Sequence, residues 1–121
     1  MSFAIDVETR FIDKESDPAA ARYVFAYTIT IRNEGDSAGQ LLNRHWWVTD
    51  GQGDVQEVQG PGVVGQQPRI PPGESFRYTS AALISTPVGA MHGYYEFQRD
   101  DGERFEVPIA PFSLSIRSVV H

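Results

Sequence analysis

A chain of 121 residues that is 40% hydrophobic, 12% aromatic and 21% charged is long enough for one packed core and too short for two independent domains. Lys+Arg number 10 against 16 Asp+Glu, a formal net charge of -6 without a dense basic run, which argues against nucleic acid and anionic membranes as partners. Cysteine is absent, which excludes disulfides, thiolate metal sites and cysteine nucleophiles.

The first residues, Met1 to Asp6, lack the basic patch and apolar stretch of a secretory signal. No uncharged apolar run approaches the roughly 18 residues of a membrane span. The expectation is a single cytoplasmic domain over 1–121.

Period-two alternation recurs along the chain, while a sustained helical period does not. Phe3, Ile5, Val7 and Phe11 share one parity and Asp6, Glu8 and Arg10 the other, which predicts a first strand with one wet face. Asp13 to Ala21 is charged, then small, and broken by Pro18; it reads as a solvated loop with a helical turn at Ala19 to Ala21. From Arg22 to Asn33, Tyr23, Phe25, Tyr27, Ile29 and Ile31 face one way and Thr28, Thr30 and Arg32 the other. Burial of five such side chains, at roughly 1.5 to 3 kcal/mol each, makes this strand the expected main stabiliser.

Asn33-Glu34-Gly35-Asp36 is a turn by its chemistry. In Leu41 to Thr49, parity places Leu42, Trp46 and Val48 inward and leaves Trp47 partly exposed. Asp50-Gly51-Gln52-Gly53 then turns the chain into a strand at Asp54 to Val58. Gly60 to Gly73, with Pro61, Pro68, Pro71 and Pro72 among its glycines, is mostly irregular. Strands resume at Ser75 to Ala82, with Phe76 and Tyr78 inward, and at Met91 to Gln98, with Tyr95 and Phe97 inward. The Asp101-Gly102 pair makes a hairpin into Arg104 to Ile109. Pro108 and Pro111 would break a central ladder, so this last part belongs on an edge or switches sheets; Phe112, Leu114 and Ile116 resume the alternation. Seven or eight short strands predict an all-β sandwich, with a closed barrel as the rival.

Gly60-Pro61-Gly62-Val63-Val64-Gly65 is a literal G-x-G-x-x-G. In a dinucleotide-binding fold such glycines open a helix whose N-terminus holds pyrophosphate. Here Val63, Val64 and three following prolines oppose a helix, and no acid occurs between Ser75 and Tyr95 to bind a ribose. The glycines then serve an irregular loop, or an anion nest in which backbone N–H groups, helped by Arg69, hold a phosphate or carboxylate. His45, His92 and His121 have no metal-binding spacing, although His92, Tyr94 and Glu96 share an exposed strand face. No nucleophile elbow or carboxylate pair of known spacing is present, so a non-enzymatic module without a cofactor is expected.

Arg22-Tyr23-Val24-Phe25-Ala26-Tyr27-Thr28-Ile29-Thr30-Ile31-Arg32-Asn33 resembles the signature strand of the ApaG family. The likeness continues through Leu41-Leu42, Trp46, Thr49, Val58-Gln59-Gly60, Val63-Val64-Gly65, Gln67-Pro68, Pro72-Gly73-Glu74, Tyr78-Thr79-Ser80, Thr86-Pro87, Met91, Gly93 and Tyr95, in order over nearly the whole chain. The resemblance implies an immunoglobulin-like or fibronectin type III-like β-sandwich and a bacterial protein linked genetically to cobalt and magnesium resistance or efflux. Related domains in F-box proteins and a polymerase-interacting protein imply recognition of a protein partner. Gly60, Gly62 and Gly65 would inherit the family's proposed nucleotide or pyrophosphate site. Pro61 stands where a polar residue is usual and removes one donor. Direct binding of a divalent cation is the third alternative.

Overall fold

Side chains that alternate in the sequence alternate in space, and the chain forms two antiparallel sheets. The structure is a computed structural model that describes residues 2–116, so His121 lies outside the described residues. Its strands are β1 (Phe3–Phe11), β2 (Tyr23–Asn33), β3 (Gly39–Asp50), β4 (Val55–Pro61), β5 (Arg69–Ile70), β6 (Ser75–Ile84), β7 (Val88–Arg99) and β8 (Arg104–Ser115). One sheet has the order β1-β2-β6 and the other β4-β3-β7-β8, with the two-residue β5 also pairing with β3. Apart from β5, this is the strand order of a fibronectin type III sandwich, as expected. Among the described residues no helix is long and apolar enough to cross a membrane.

The core lies where β2 faces β3 and β7. Phe25, Ile29 and Ile31 of β2 are fully buried against Leu41, Trp46, Tyr95 and Phe97 of the facing sheet. Tyr27 meets Trp46 edge-on at 5.6 Å across the two layers. Val24 is buried despite its outward parity, because the segment after β1 folds over it: Ile12 N–H donates to the Val24 carbonyl and Val24 N–H to Ser16 Oγ. That segment holds two 3-10 turns, at Asp13–Glu15 and Pro18–Ala20. Pro18 starts the second because its fixed φ suits a first helical position, which moves the turn one residue ahead of the expected Ala19.

Three expectations shift in detail. The register between β3 and β7 slips between Leu41 and Asn43; one extra residue inverts parity, so fully buried Leu41 takes the inward place expected of Leu42. Asp54 closes the turn instead of starting β4: its N–H donates to Asp50 Oδ1, and its carbonyl accepts from Asp50 N–H. The prolines of β8 leave one strand at the sheet edge, and the extra residue sits between Ile109 and Phe112, opposite Gly93 and Met91.

At the end of β2, Asn33 is fully buried. Its Nδ2 donates to the carbonyls of Ser37 and Ile70, and its Oδ1 accepts from Gly35 N–H. These bonds satisfy a polar side chain inside the core and tie β5 to the β2–β3 turn.

Candidate functional site

A sheet of three strands does not span one that is four strands wide, and the uncovered strand is β4. Its residues are exposed on both faces apart from half-buried Gly60. β4 and β6 each end their sheet, so one side of the sandwich opens between two strand edges. The resulting groove encloses about 710 Å³, with Tyr27, Trp46 and Met91 deep in it and Val58 and Leu83 at its mouth. Val58 and Leu83 are 40% and 45% exposed, and Val55 of β4 is 57% exposed. Gln56 reaches across, its Nε2 donating to the Leu83 carbonyl at 3.3 Å.

Arg44 occupies one end of the groove. It shares the inward parity of Trp46 and Val48, and its Nη1 donates to the carbonyls of Pro61 and Gly62 at 2.9 and 3.0 Å. Among the described residues it has no ion-pair partner. Around it stand phenols: Tyr27 bonds to Ser80, and the hydroxyls of Tyr78 and Tyr95 bond to each other. Burial pushes all three phenols up, against the smaller opposing pull of Arg44 on Tyr27 and Tyr78, so they serve as neutral hydrogen-bonding groups. Among the described residues the buried Trp46 Nε1 has no acceptor, and such a group costs about 1 to 3 kcal/mol.

The glycine motif is part of this same end. A Cβ on Gly60 would lie 3.0 Å from both terminal nitrogens of Arg44, and one on Gly62 would lie 2.2 Å from the Gln66 carbonyl oxygen. Gly60 therefore makes room for a guanidinium, and Gly62, at φ +62°, for a tight turn. Gly65 has φ +80° and open space beside it. Gly62 N–H donates to the Leu42 carbonyl, while Val63 and Gln66 exchange N–H···O bonds. Val63 is buried, whereas Val64 is half-exposed at φ 43°, a strained conformation for a β-branched residue. Arg69 is held elsewhere, its Nε and Nη2 donating to the two Asp100 oxygens at 3.0 and 2.5 Å. That bond keeps the Asp100 carboxyl below its ordinary range. Sequence order alone placed Arg69 with the glycines; the guanidinium actually lying over them comes from β3.

The outward face of β3 and β7 carries a second cluster. His45 bonds through Nε2 to Glu57 at 2.6 Å and through Nδ1 to the Tyr94 hydroxyl at 3.1 Å. Trp47 stacks between His45 and His92, with ring centroids at 4.1 and 5.3 Å. These rings occupy one another's faces. The shared face of His92, Tyr94 and Glu96 exists as expected, and among the described residues no three His, Asp or Glu side chains gather as metal ligands.

Comparison with known proteins adds the kinship. Residues 13–99 match the model of the ApaG domain. The chain is 53% identical over 117 residues to Protein ApaG of Acidithiobacillus ferrooxidans, covering 97% of this chain and 92% of that one. It is 50% identical over 117 residues to Protein ApaG of Pseudomonas putida, covering 97% and 93%. A crystal structure of an ApaA protein from Bordetella pertussis superposes with a TM-score of 0.93 at 47% identity, covering 97% of this chain and 95% of that one.

Proposed function

We propose that this chain, which belongs to the ApaG family, is a non-catalytic recognition domain that takes an extended segment of a protein partner in the groove between β4 and β6. The observation that carries this is the uncovered β4: a strand exposed on both faces, facing the free edge of β6 across a groove with an apolar mouth. Free strand edges offer unpaired N–H and C=O groups to an added strand, and side-chain pockets beside them supply selectivity. A photo-crosslinking residue placed at Val58, with the protein expressed in bacterial cells, is expected to yield discrete adducts with another protein. The same residue at Glu106, on β8, is expected to yield none above background. Equal or absent adducts from the Val58 position would remove the groove from recognition.

A second reading keeps the anion at Gly60, Gly62 and Gly65. Strained Val64 and the guanidinium of Arg44 against Gly60 favour it, since strain often accompanies functional loops. Arg69 would join such a site only by leaving Asp100. Pyrophosphate at millimolar concentration is then expected to shift the amide resonances from Gly60 to Arg69. Unmoved resonances there would end this second reading.

A further inference from the structure

The charge inside the groove runs opposite to the charge of the chain. The protein carries 16 acids and 10 bases, yet among the described residues the groove is lined by Arg44, by exposed Arg22 at its rim, whose Nε donates to the Glu15 carbonyl, and by no Asp or Glu. A cation turned inward with only backbone carbonyls as partners is an incomplete arrangement, because guanidinium offers five donors and pairs best with a planar carboxylate. Nη1 of Arg44 is engaged by Pro61 and Gly62, and these bonds fix the direction of the remaining donors. Part-way out of water, such a pair gains more than one on an open surface.

The spacing of the two arginines follows from strand register. Arg44 acts on the phenols of both Tyr27 and Tyr78; Tyr78 lies on β6, and Tyr27 pairs with Ser80 of the same strand. Arg22 precedes Tyr23, which pairs with Ile84. Counted from Ser80, the arginines stand four to five residues apart along β6, roughly 13 to 17 Å at about 3.3 Å per residue, and about seven residues apart counted from Tyr78. The same groove is lined by Leu83 of β6, Val58 of β4 and Met91 of β7. In an added strand, residues i, i+2 and i+4 point to one side. We infer that the groove selects an extended protein segment with two acidic side chains at i and i+4 and an apolar one at i+2, the acids meeting Arg44 and Arg22 and the apolar residue meeting Val58, Leu83 and Met91.

This inference rests on the groove being the recognition site and adds the chemistry of its occupant. The probes are three acetylated, amidated peptides, Thr-Glu-Thr-Val-Thr-Glu-Thr and its analogues with Gln or Lys at both Glu positions, titrated into the full chain and followed by amide and indole resonances. The Glu peptide is expected to shift Trp46, Val58 and Ser80 to Ile84, and to bind at least tenfold more tightly than the Gln peptide. Lys should bind most weakly. Arg44→Gln, which keeps a donor for the Pro61 and Gly62 carbonyls, is expected to reduce the preference for Glu over Gln severalfold and, combined with Arg22→Gln, to cancel it. Arg22→Gln, outside the packed core, should reduce the preference severalfold and provides a second variant should Arg44→Gln disturb the fold. Equal binding of the Glu and Gln peptides in the groove would overturn the charge selection alone. Absence of groove shifts with all three peptides would overturn the groove reading together with it.

Discussion

Replacing Gly93 by alanine is expected to remove more than about 4 kcal/mol of stability, the range reserved for gross packing errors, and to leave the domain mostly unfolded. Gly93 sits on β7 opposite Trp46, in the central pair of the larger sheet. A Cβ built there would stand 1.9 Å from the His45 carbonyl oxygen and 3.1 Å from the Trp46 Cα. Those atoms are backbone and cannot rotate away, so β3 and β7 would have to part where Trp46 and Tyr95 pack edge-on. Since a domain of this size is stable by only about 5 to 15 kcal/mol, such a loss is a large fraction of the total. Gly53→Ala is the internal comparison, because Gly53 has φ +90° but nothing within 4 Å of its added Cβ. Only the left-handed backbone then costs, at roughly 1 to 2 kcal/mol. Urea unfolding of the two variants beside the parent decides the matter; Gly93→Ala falling within 1 kcal/mol of Gly53→Ala on the same order of scale would show that β3 and β7 are not held this close.

Phe25→Ala is expected to cost about 3 to 5 kcal/mol. Phe25 is fully buried on β2, the middle strand of the smaller sheet, with the Phe11 ring 5.5 Å away. The walls of the void would include the Phe11 ring on edge strand β1 and backbone held by ladder hydrogen bonds, so they can collapse only in part, and the lost contacts are not fully replaced. Thr28→Ala, on the outer face of the same strand, removes only an exposed bond to Thr79 and should cost within about 0.5 kcal/mol. A urea midpoint for Phe25→Ala indistinguishable from that of Thr28→Ala would take Phe25 out of the core.

The glycine motif illustrates how one string of letters can serve different physics. In a nucleotide-binding fold the glycines let a helix approach pyrophosphate. Here Gly60 lets an arginine side chain lie on a strand, and Gly62 lets the chain turn within 2.2 Å of where its own Cβ would strike. The motif therefore shapes the end of the groove, whether or not an anion also rests on it. The groove itself follows from unequal sheets: Val58 and Gln56 have inward parity beside Trp46 and Val48, but among the described residues no strand of the smaller sheet lies opposite them.

Alternation along the chain determined most of the architecture. Each residue of a strand faces away from its neighbours, so the inward places of Phe25, Tyr27, Ile29, Trp46, Tyr95 and Phe97 were legible from parity alone. The Asp101-Gly102 turn was equally legible, and the prolines of β8 narrowed its place to an edge or a switch between sheets, from backbone chemistry that proline and glycine impose locally; the structure chose the edge. Tertiary structure alone decided the bulge that exchanges Leu42 for Leu41, the closeness demanded of Gly93, the buried bonds of Asn33 and the meeting of Arg44 with Gly60. Each depends on what lies across a sheet or between sheets, and a carbonyl or guanidinium brought there from a distant segment leaves no periodic trace in the residues that must accommodate it.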